Sequence, residues 1–241
     1  MHSTVAKLKR AFDLIGSGAG LLLSSPLLGA IALAIKLDDG GPIFYSQTRV
    51  GGHMSHEGDA TDCYEYQMWK FRTMRTDAEK GGQAIRAGKS DPRVTRIGKF
   101  LRKTRLDEIP NLFNVFVGQM SIVGPRPERP QTIQTLAAAI PFFEERMRMV
   151  KPGVTGLAQI NLDYLGRMGE THELATMRQF LTNPFGLDYE VDESPEADDM
   201  RTKILFDFAY AASLEKVSSF LRTDLEILFR TPLVMILGKG R

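Results

Sequence analysis

The stretch LIGSGAGLLLSSPLLGAIALAI, residues 14–35, contains no charged side chain, and the fold predicted for the rest of the chain depends on it. As a straight helix its 22 residues would be roughly 33 Å long, enough to cross a hydrocarbon core of ~30 Å. Lys7, Lys9 and Arg10 precede the stretch, and Lys36 follows it. The stretch therefore predicts a helix associated with a membrane.

Ser24, Ser25 and Pro26 divide this stretch into limbs of 12 and 10 residues. Pro26 cannot donate to the carbonyl of Leu22, which costs ~3 kcal/mol in a helix interior, although the serines can bond the freed carbonyls. Each limb reaches about half of the ~30 Å hydrocarbon core. A helix that breaks and returns to the same side is one interpretation, and a kinked span is the other. A secretory signal peptide is disfavoured because the apolar region is too long for one.

The composition of the whole chain bounds the class of protein. A mean hydropathy of −0.17 excludes a polytopic membrane protein, and 43% hydrophobic residues exclude a disordered chain. Lys and Arg number 31 against 29 Asp and Glu, a net charge of +2, which argues against nucleic acid as a partner. The single cysteine, Cys63, excludes a disulfide scaffold. The 241 residues leave room for one good-sized domain or two small ones, with enough length to bury a core.

A hairpin is predicted directly after the apolar stretch. Residues 43–50 and 66–74 predict two strands that can pair, and the polar residues 53–65 between them predict a loop. His53, His56 and Cys63 in that loop lack a fourth ligand, so a metal site there is disfavoured.

The remaining segments are mainly helical. Residues 76–92 predict a second loop or a partly helical insertion, and residues 161–200 are acidic and irregular. Helices are predicted at residues 131–150, 201–216 and 220–237.

A basic amphipathic helix is predicted from residue 93 to residue 105. Its apolar face carries Val94, Ile97, Phe100 and Leu101, and its other positions hold six basic and no acidic side chains. Such a helix suits a membrane surface with anionic headgroups, or it is a solvated helix packed on the core.

Asp107 and Glu108 lie in the densest group of side chains that could carry out a reaction, residues 102–110. Pro110 suits the first position of a helix, so two adjacent carboxylates come just before a helix N-terminus. They either serve only the helix dipole or act as a nucleophile with a neighbouring acid–base group or as Mg²⁺ ligands. Phosphate chemistry needs cations, and the sequence offers Lys70, Arg72, Arg102 and Arg126. Arg126 stands between two prolines, which leaves little backbone entropy to lose on binding an anion.

A series of short motifs follows the chain: Lys70-Phe71-Arg72-Thr73-Met74, Asp91-Pro92-Arg93-Val94-Thr95-Arg96-Ile97-Gly98, Leu101-Arg102, Leu106-Asp107-Glu108-Ile109-Pro110, Asn114-Val115, Gly118-Gln119-Met120-Ser121, Gly124-Pro125-Arg126-Pro127 and Lys151-Pro152-Gly153-Val154-Thr155-Gly156. In this order they resemble the bacterial sugar transferases, the monotopic polyprenyl-phosphate phosphoglycosyl transferases. The resemblance covers about residues 7–160 and resumes near Lys203, Asp207, Tyr210 and Asp224.

The resemblance implies a reaction and a place for it. A sugar 1-phosphate would pass from a UDP-sugar to polyprenyl (undecaprenyl) phosphate, with release of UMP, as the first membrane step of exopolysaccharide or lipopolysaccharide synthesis. Asp107 would be the nucleophile and a Mg²⁺ ligand, with Glu108 as its partner. Lys70, Arg72, Arg102 and Arg126 would bind phosphates and substrate. Membrane lipids are expected partners, and the cytoplasmic face of the bacterial inner membrane is the expected location.

The resemblance also implies a fold of the α+β class that is mainly helical. It would combine a re-entrant membrane helix hinged at Ser25 and Pro26, a short β-hairpin, and amphipathic interfacial helices around one active site. Residues 1–38 would form the membrane segment and residues 39–241 the catalytic domain, with insertions near 53–65 and 163–200. A homo-oligomer is compatible with the sequence. The chain departs from the family at Asn111, where glutamine is frequent, and at Leu157, where tryptophan is common.

Overall fold

A single helix, α1 (Ser3–Asp39), contains the whole apolar N-terminal stretch in this computed structural model. By length and composition α1 could cross a membrane. The helix continues through Ser25 and Pro26, so no non-helical residue separates its two limbs, and the expected hinge at these residues stays a prediction. Ser25 Oγ donates to the carbonyl of Leu22 at 2.8 Å and thus supplies the hydrogen bond that Pro26 withholds. The helix therefore accommodates its proline without an interruption.

Both ends of α1 are buried against the rest of the chain, and the middle of the helix is exposed. Leu22 and Leu23 in the middle are 74% and 81% exposed. Side chains are buried every four residues at the start of the helix and again near its end: Val5, Lys9, Asp13, Ser17, Ile31 and Ile35. The four-residue spacing puts one face of each limb against the same body of protein.

The structure describes residues 3–52, 64–78, 91–140, 143–162 and 195–236. Several predictions fall outside these residues. They are the remainder of the two predicted loops, the disfavoured metal site at His53, His56 and Cys63, and the acidic segment 163–194.

The predicted hairpin is confirmed. Strands β1 (Phe44–Gly51) and β2 (Tyr64–Phe71) pair antiparallel, with Phe44 opposite Phe71 and Gly51 opposite Tyr64. Along β2 the side chains alternate, so that Tyr66 and Met68 are buried while their neighbours are exposed. One face of the hairpin therefore belongs to the core.

Two short strands were not predicted from the sequence. Strands β3 (Ser121–Val123) and β4 (Gly153–Thr155) pair in parallel, and each has only three residues. Between them, α4 (Pro130–Ala139) and a 3₁₀ turn (Glu144–Met147) replace the continuous helix expected over residues 131–150. The helix ends because Pro141 disfavours the helical conformation at Ile140, which is extended with φ −132°.

The remaining helices close the core. They are α2 (Arg96–Thr104), α3 (Asn111–Val117), α5 (Leu157–Asn161), α6 (Pro195–Ser213) and α7 (Val217–Ile236). One apolar cluster joins Val5 of α1 to Val123 of β3 and to Tyr210, Phe220 and Ile227 of α6 and α7. The described chain is thus mainly helical with short sheets, as expected for the α+β class.

A second apolar cluster joins the end of α1 to the elements that lead to the carboxylate pair. Ile31 and Ile35 of α1 pack with Phe71 of β2 and Leu101 of α2. The membrane-associated helix and the basic helix α2 are therefore in direct contact.

Candidate active site

Asp107 and Glu108 lie in a single 3₁₀ turn (Leu106–Glu108) between α2 and α3. Arg105 ends α2 with φ 58°, the one positive φ of a non-glycine residue in the described ranges. This left-handed residue turns the chain sharply, and Pro110 with φ −60° then leads into α3. As expected, two carboxylates stand just before a helix that begins beside Pro110.

The helix α2 is fixed to the core through its backbone. A Cβ on Gly98 would overlap the carbonyl oxygen of Thr73, so only glycine allows this approach. Thr95 Oγ1 accepts from Gly98 N at 2.9 Å and caps the helix. Leu101 is buried, while Phe100 is 56% exposed. The predicted apolar face is therefore divided between the core and the surface.

Glu108 is paired with Lys70 of β2. Lys70 Nζ donates to Glu108 Oε1 at 2.8 Å, and Arg105 Nη1 lies 4.0 Å from the same oxygen. Burial alone would raise the pKa of Glu108, but Lys70, Arg126 and Arg105 outweigh it and hold the pKa at about 2. Glu108 is therefore ionised at neutral pH.

Asp107 has a different environment from its neighbour. Burial, followed by the charge of Glu108, raises the pKa of Asp107 to about 6, against the opposing charges of Lys70, Arg105 and Arg102. Its Oδ1 atom is buried and has no hydrogen-bond partner among the described residues. A buried carboxylate oxygen without a donor is the kind of atom that binds a ligand or attacks an electrophile.

A small cavity opens beside Glu108. Asn111, which lines it, is 2% exposed, and its Oδ1 also lacks a partner among the described residues. Sequence reasoning singled out Asn111 only as a departure from the family, although its place directly after Pro110 was a signal. The full lining consists of Arg49, Met68, Lys70, Glu108, Asn111, Met120, Arg126, Pro127, Gly153 and Val154.

Arg49 of β1 was also not among the site residues expected from the sequence. It lines the cavity, where burial and the neighbouring guanidiniums of Arg126 and Arg129 lower its pKa. Cations that crowd together in this way favour an anionic ligand between them. The sequence signal was weak, because Arg49 is one basic residue within an ordinary strand.

The structure gathers some of the expected site residues and separates others. Lys70 and Arg126 lie at Glu108, and Arg102 is close enough to Asp107 to lower its pKa. Ser25 and Pro26 lie in the bare middle of α1, apart from this group.

Arg72 is turned away from the group. Its guanidinium pairs with both carboxylate oxygens of Asp39, and it donates to the carbonyls of Pro42 at 2.6 Å and Met74 at 2.9 Å. These contacts tie the end of α1 to the hairpin.

Oxygen atoms at the site can receive a small divalent cation. Within the described ranges, no three His, Cys, Asp or Glu side chains form a metal-binding group. Mg²⁺, however, commonly uses only one or two protein carboxylates and keeps water and substrate phosphates as its other ligands. Asp107 Oδ1 is a buried carboxylate oxygen without a donor and could serve as such a ligand, and Asn111 Oδ1 is a buried amide oxygen that also lacks a partner among the described residues.

The chain is similar in sequence to a known family and to individual proteins. The sequence model described as bacterial sugar transferase matches residues 4–238. The chain is 46% identical over 156 residues to "Undecaprenyl-phosphate glucose phosphotransferase" of Komagataeibacter xylinus, covering 64% of this chain and 27% of that protein. It is 44% identical over 171 residues to "UDP-glucose:undecaprenyl-phosphate glucose-1-phosphate transferase" of Klebsiella pneumoniae, covering 71% of this chain and 34% of that protein.

A shorter relative is covered more completely. The chain is 41% identical over 177 residues to "Exopolysaccharide production protein PSS" of Rhizobium leguminosarum bv. phaseoli, covering 71% of this chain and 80% of that protein. Against the two longer relatives, the matched part spans only about a third of their length or less.

Proposed function

The chain belongs to the bacterial sugar transferase family, and from that premise we propose that it transfers a sugar 1-phosphate from a UDP-sugar to undecaprenyl phosphate at a membrane. The observation that carries the proposal is the buried, donor-free Oδ1 of Asp107, one residue from the Lys70–Glu108 pair and within the field of Arg102 and Arg105. UDP-glucose is the first donor to test, because the relatives from K. xylinus and K. pneumoniae carry glucose in their names.

Two displacements at phosphorus would account for the transfer. Asp107 attacks the β-phosphorus of the UDP-sugar, an Asp–phosphosugar bond forms, and the bond to the bridging oxygen breaks to release UMP. The phosphate oxygen of undecaprenyl phosphate then attacks the same phosphorus, which yields the polyprenyl diphosphosugar and regenerates the carboxylate. Because the donor is water-soluble and the acceptor lies in lipid, a covalent intermediate lets each react in turn.

The side chains around Asp107 would stabilise the negative charge of the diphosphate. Lys70 and Arg126 face the cavity at Glu108, and preorganised cations of this kind stabilise developing charge at low cost in reorganisation. Glu108, ionised and bonded to Lys70, orients that ammonium rather than donating a proton. Mg²⁺ held by Asp107 Oδ1 and Asn111 Oδ1 would neutralise phosphate charge.

The membrane segment would enter and leave on one side. Both ends of α1 pack on the same body of protein, and the exposed middle carries Leu22 and Leu23. Exposed Phe116 of α3 lies beside the first limb of α1, where Gly18 approaches it, and Phe113 of the same helix is also exposed. These contacts support a re-entrant helix that holds the site at the headgroups. The cytoplasmic face of the inner membrane is the proposed location because UDP-sugars are made in the cytoplasm.

The test of the activity uses the full chain in nanodiscs with a panel of UDP-sugars. We expect UMP release that depends on undecaprenyl phosphate, and a mass increase of one phosphosugar when the acceptor is withheld. Asp107→Asn should lower turnover by at least about a thousandfold, because amide nitrogen and oxygen are poor nucleophiles. Glu226→Gln, at an exposed carboxylate on α7, is the matched control and should keep full activity. Normal turnover by Asp107→Asn would refute the mechanism, and turnover without lipid phosphate would indicate a hydrolase instead.

The topology of α1 has its own test. Thr4→Cys and Leu37→Cys, made separately in a Cys63→Ser background, place exposed thiols at the two ends of the helix. A membrane-impermeant thiol reagent should label both from the same side. Labelling from opposite sides would establish a span and contradict the re-entrant arrangement.

A further inference from the structure

The loop of residues 125–128, which follows β3, is held by its carbonyl oxygens. Pro125 O accepts from Gly153 N at 2.8 Å, and Glu128 O accepts from Val50 N at 3.1 Å. The two ends of the loop are therefore tied to β4 and β1 by backbone hydrogen bonds.

The two carbonyls between those ends accept hydrogen bonds from arginine side chains. Arg126 O accepts from Nη2 of Arg146 at 2.9 Å, and Pro127 O accepts from Nη1 of Arg49 at 3.1 Å. With a proline on each side of Arg126 fixing φ, four consecutive carbonyls in one loop are held by four separate donors. The backbone of Arg126 is thereby confined to one conformation.

Arg146 is itself held in place by a buried carboxylate. Arg146 and Asp207 of α6 are each 2% exposed, and Nη1 of Arg146 donates to Asp207 Oδ2 at 2.8 Å. The ring of Phe143 covers the guanidinium at 4.8 Å. A buried ion pair often stabilises a fold no better than a well-packed apolar pair. What the guanidinium offers and an apolar side chain lacks is a rigid fork of donors, one to Asp207 and one to the Arg126 carbonyl.

We propose that Arg146 is a positioning residue, which holds the main chain of Arg126 so that the Arg126 side chain meets the diphosphate of the nucleotide donor, and that Asp207 orients Arg146. The identity of the ligand rests on the proposed function. Arg126 lines the cavity together with Lys70 and Glu108, so a shift of its backbone moves a cation of that cavity. Arg146 lies 61 residues from Asp207 in the chain, and the contact exists only in the folded protein.

The test replaces the pair without leaving a lone buried charge. The double variant Arg146→Met with Asp207→Leu removes equal and opposite charges and keeps comparable volume. Binding of UDP to the full chain in nanodiscs, measured by calorimetry, should weaken about tenfold. The matched control is Lys9→Met with Asp224→Leu, another buried pair at 2.8 Å, which should leave the affinity for UDP unchanged. Unchanged affinity in the Arg146 variant would overturn the inference.

A second measurement separates positioning from a general loss of structure. If Arg146 acts through Arg126, the double variant should add less than about twofold to the loss already caused by Arg126→Ala. The same tenfold loss in that background would overturn the inference. Arg146→Lys keeps the ion pair, but its single ammonium cannot donate to both Asp207 and the Arg126 carbonyl as the guanidinium does. Its affinity for UDP should therefore fall as far as that of the double variant. If the double variant does not fold, Arg146→Lys is measured in its place.

The outcomes also distinguish this inference from the proposed function. If the wild-type chain binds UDP, the Arg146 variants bind it more weakly as expected, and the wild type transfers no sugar phosphate, only the proposed function is refuted. A wild-type chain without affinity for UDP refutes both.

Discussion

The side chain of Asn114 on α3 makes three hydrogen bonds, two of which join α3 to β2. Its Nδ2 donates to Gln67 O at 2.7 Å and to Gln119 Oε1 at 2.8 Å, and its Oδ1 accepts from Trp69 N at 3.1 Å. The side chain is fully buried and completes the open edge of the hairpin as a neighbouring strand would. Lys70 follows Trp69 directly, so this contact also sets where the ammonium meets Glu108.

Replacing Asn114 should destabilise the protein strongly. Asn114→Ala leaves the part-buried N–H of Trp69 and the part-buried carbonyl of Gln67 without partners, so we expect a loss of about 3 kcal/mol in the free energy of unfolding. Chemical denaturation in detergent measures it. Asn161→Ala, which removes a half-buried asparagine on α5, is the control and should cost less than about 1 kcal/mol. Equal losses in the two variants would contradict this account of Asn114.

Asp207 should make stability depend on pH in a predictable direction. Burial raises its pKa to about 6, although Arg146 pulls the pKa down, whereas an unfolded aspartate titrates near ~4. The folded state therefore binds a proton that the unfolded state has released between those values. The contribution of Asp207 to stability is full below about pH 4 and declines as the pH rises through 6.

The variant Asp207→Asn removes this titration. The difference in unfolding free energy between wild type and Asp207→Asn should be larger at pH 4.5 than at pH 7.5, by about 2 kcal/mol. Denaturation at the two pH values measures it, with Glu226→Gln as the control for general pH effects. A difference that grows from pH 4.5 to pH 7.5 would show that Arg146 depresses the pKa instead.

At the scale of elements, the position of α2 depends on contact between backbones. Gly98 packs on the Thr73 carbonyl, and Leu101 of the same helix packs on Ile31 and Ile35 of α1. A helix held in this way carries Arg102 and the turn with Asp107 to a fixed place.

Gly98→Ala should therefore move α2 and impair the site. Its Cβ meets backbone that cannot give way, so we expect at least a tenfold loss of turnover and a lower thermal midpoint. Gly29→Ala is the matched control, because a Cβ on that helical glycine meets nothing within 4 Å. It should leave activity unchanged. Comparable turnover in the two alanine variants would contradict the role of the close approach.

At the scale of the whole molecule, the two ends of the described chain are joined by a buried polar network. Lys9 Nζ of α1 lies 2.8 Å from Asp224 Oδ2 of α7. The hydroxyl oxygen of Tyr210 lies 3.0 Å from both Asp224 Oδ1 and the carbonyl oxygen of Val123. The membrane-associated helix, the last helix and the β3–β4 pair are therefore one cooperative unit.

Breaking this network at one point should destabilise the unit as a whole. Asp224→Asn leaves Lys9 buried without a counterion, at a cost of about 3–5 kcal/mol. We expect a single cooperative thermal transition at a lower midpoint. Lys9→Met together with Asp224→Leu should recover most of the loss, because no lone charge remains. A double variant as unstable as the single one would show that the charges themselves stabilise the fold.

The sequence by itself determined the features that depend on neighbours along the chain. The apolar stretch, the pairing hairpin, the carboxylates before Pro110 and the late helices follow from periodicity and from local backbone chemistry. Even the serines that compensate for Pro26 are local to it. Strands β3 and β4 were not predicted, because three residues are too few to show the alternation of buried and exposed side chains that marks a strand.

Only the tertiary structure decided which side chains meet. Lys70 and Arg72 stand two apart, so strand alternation would place both on one face. Because β2 ends at Phe71, Arg72 leaves the pleat and binds Asp39, while Lys70 reaches Glu108, 38 residues away in sequence. Arg146 meets Asp207 and the Arg126 carbonyl in the same way. Such contacts depend on how separate elements pack, and residue spacing along the chain does not encode them.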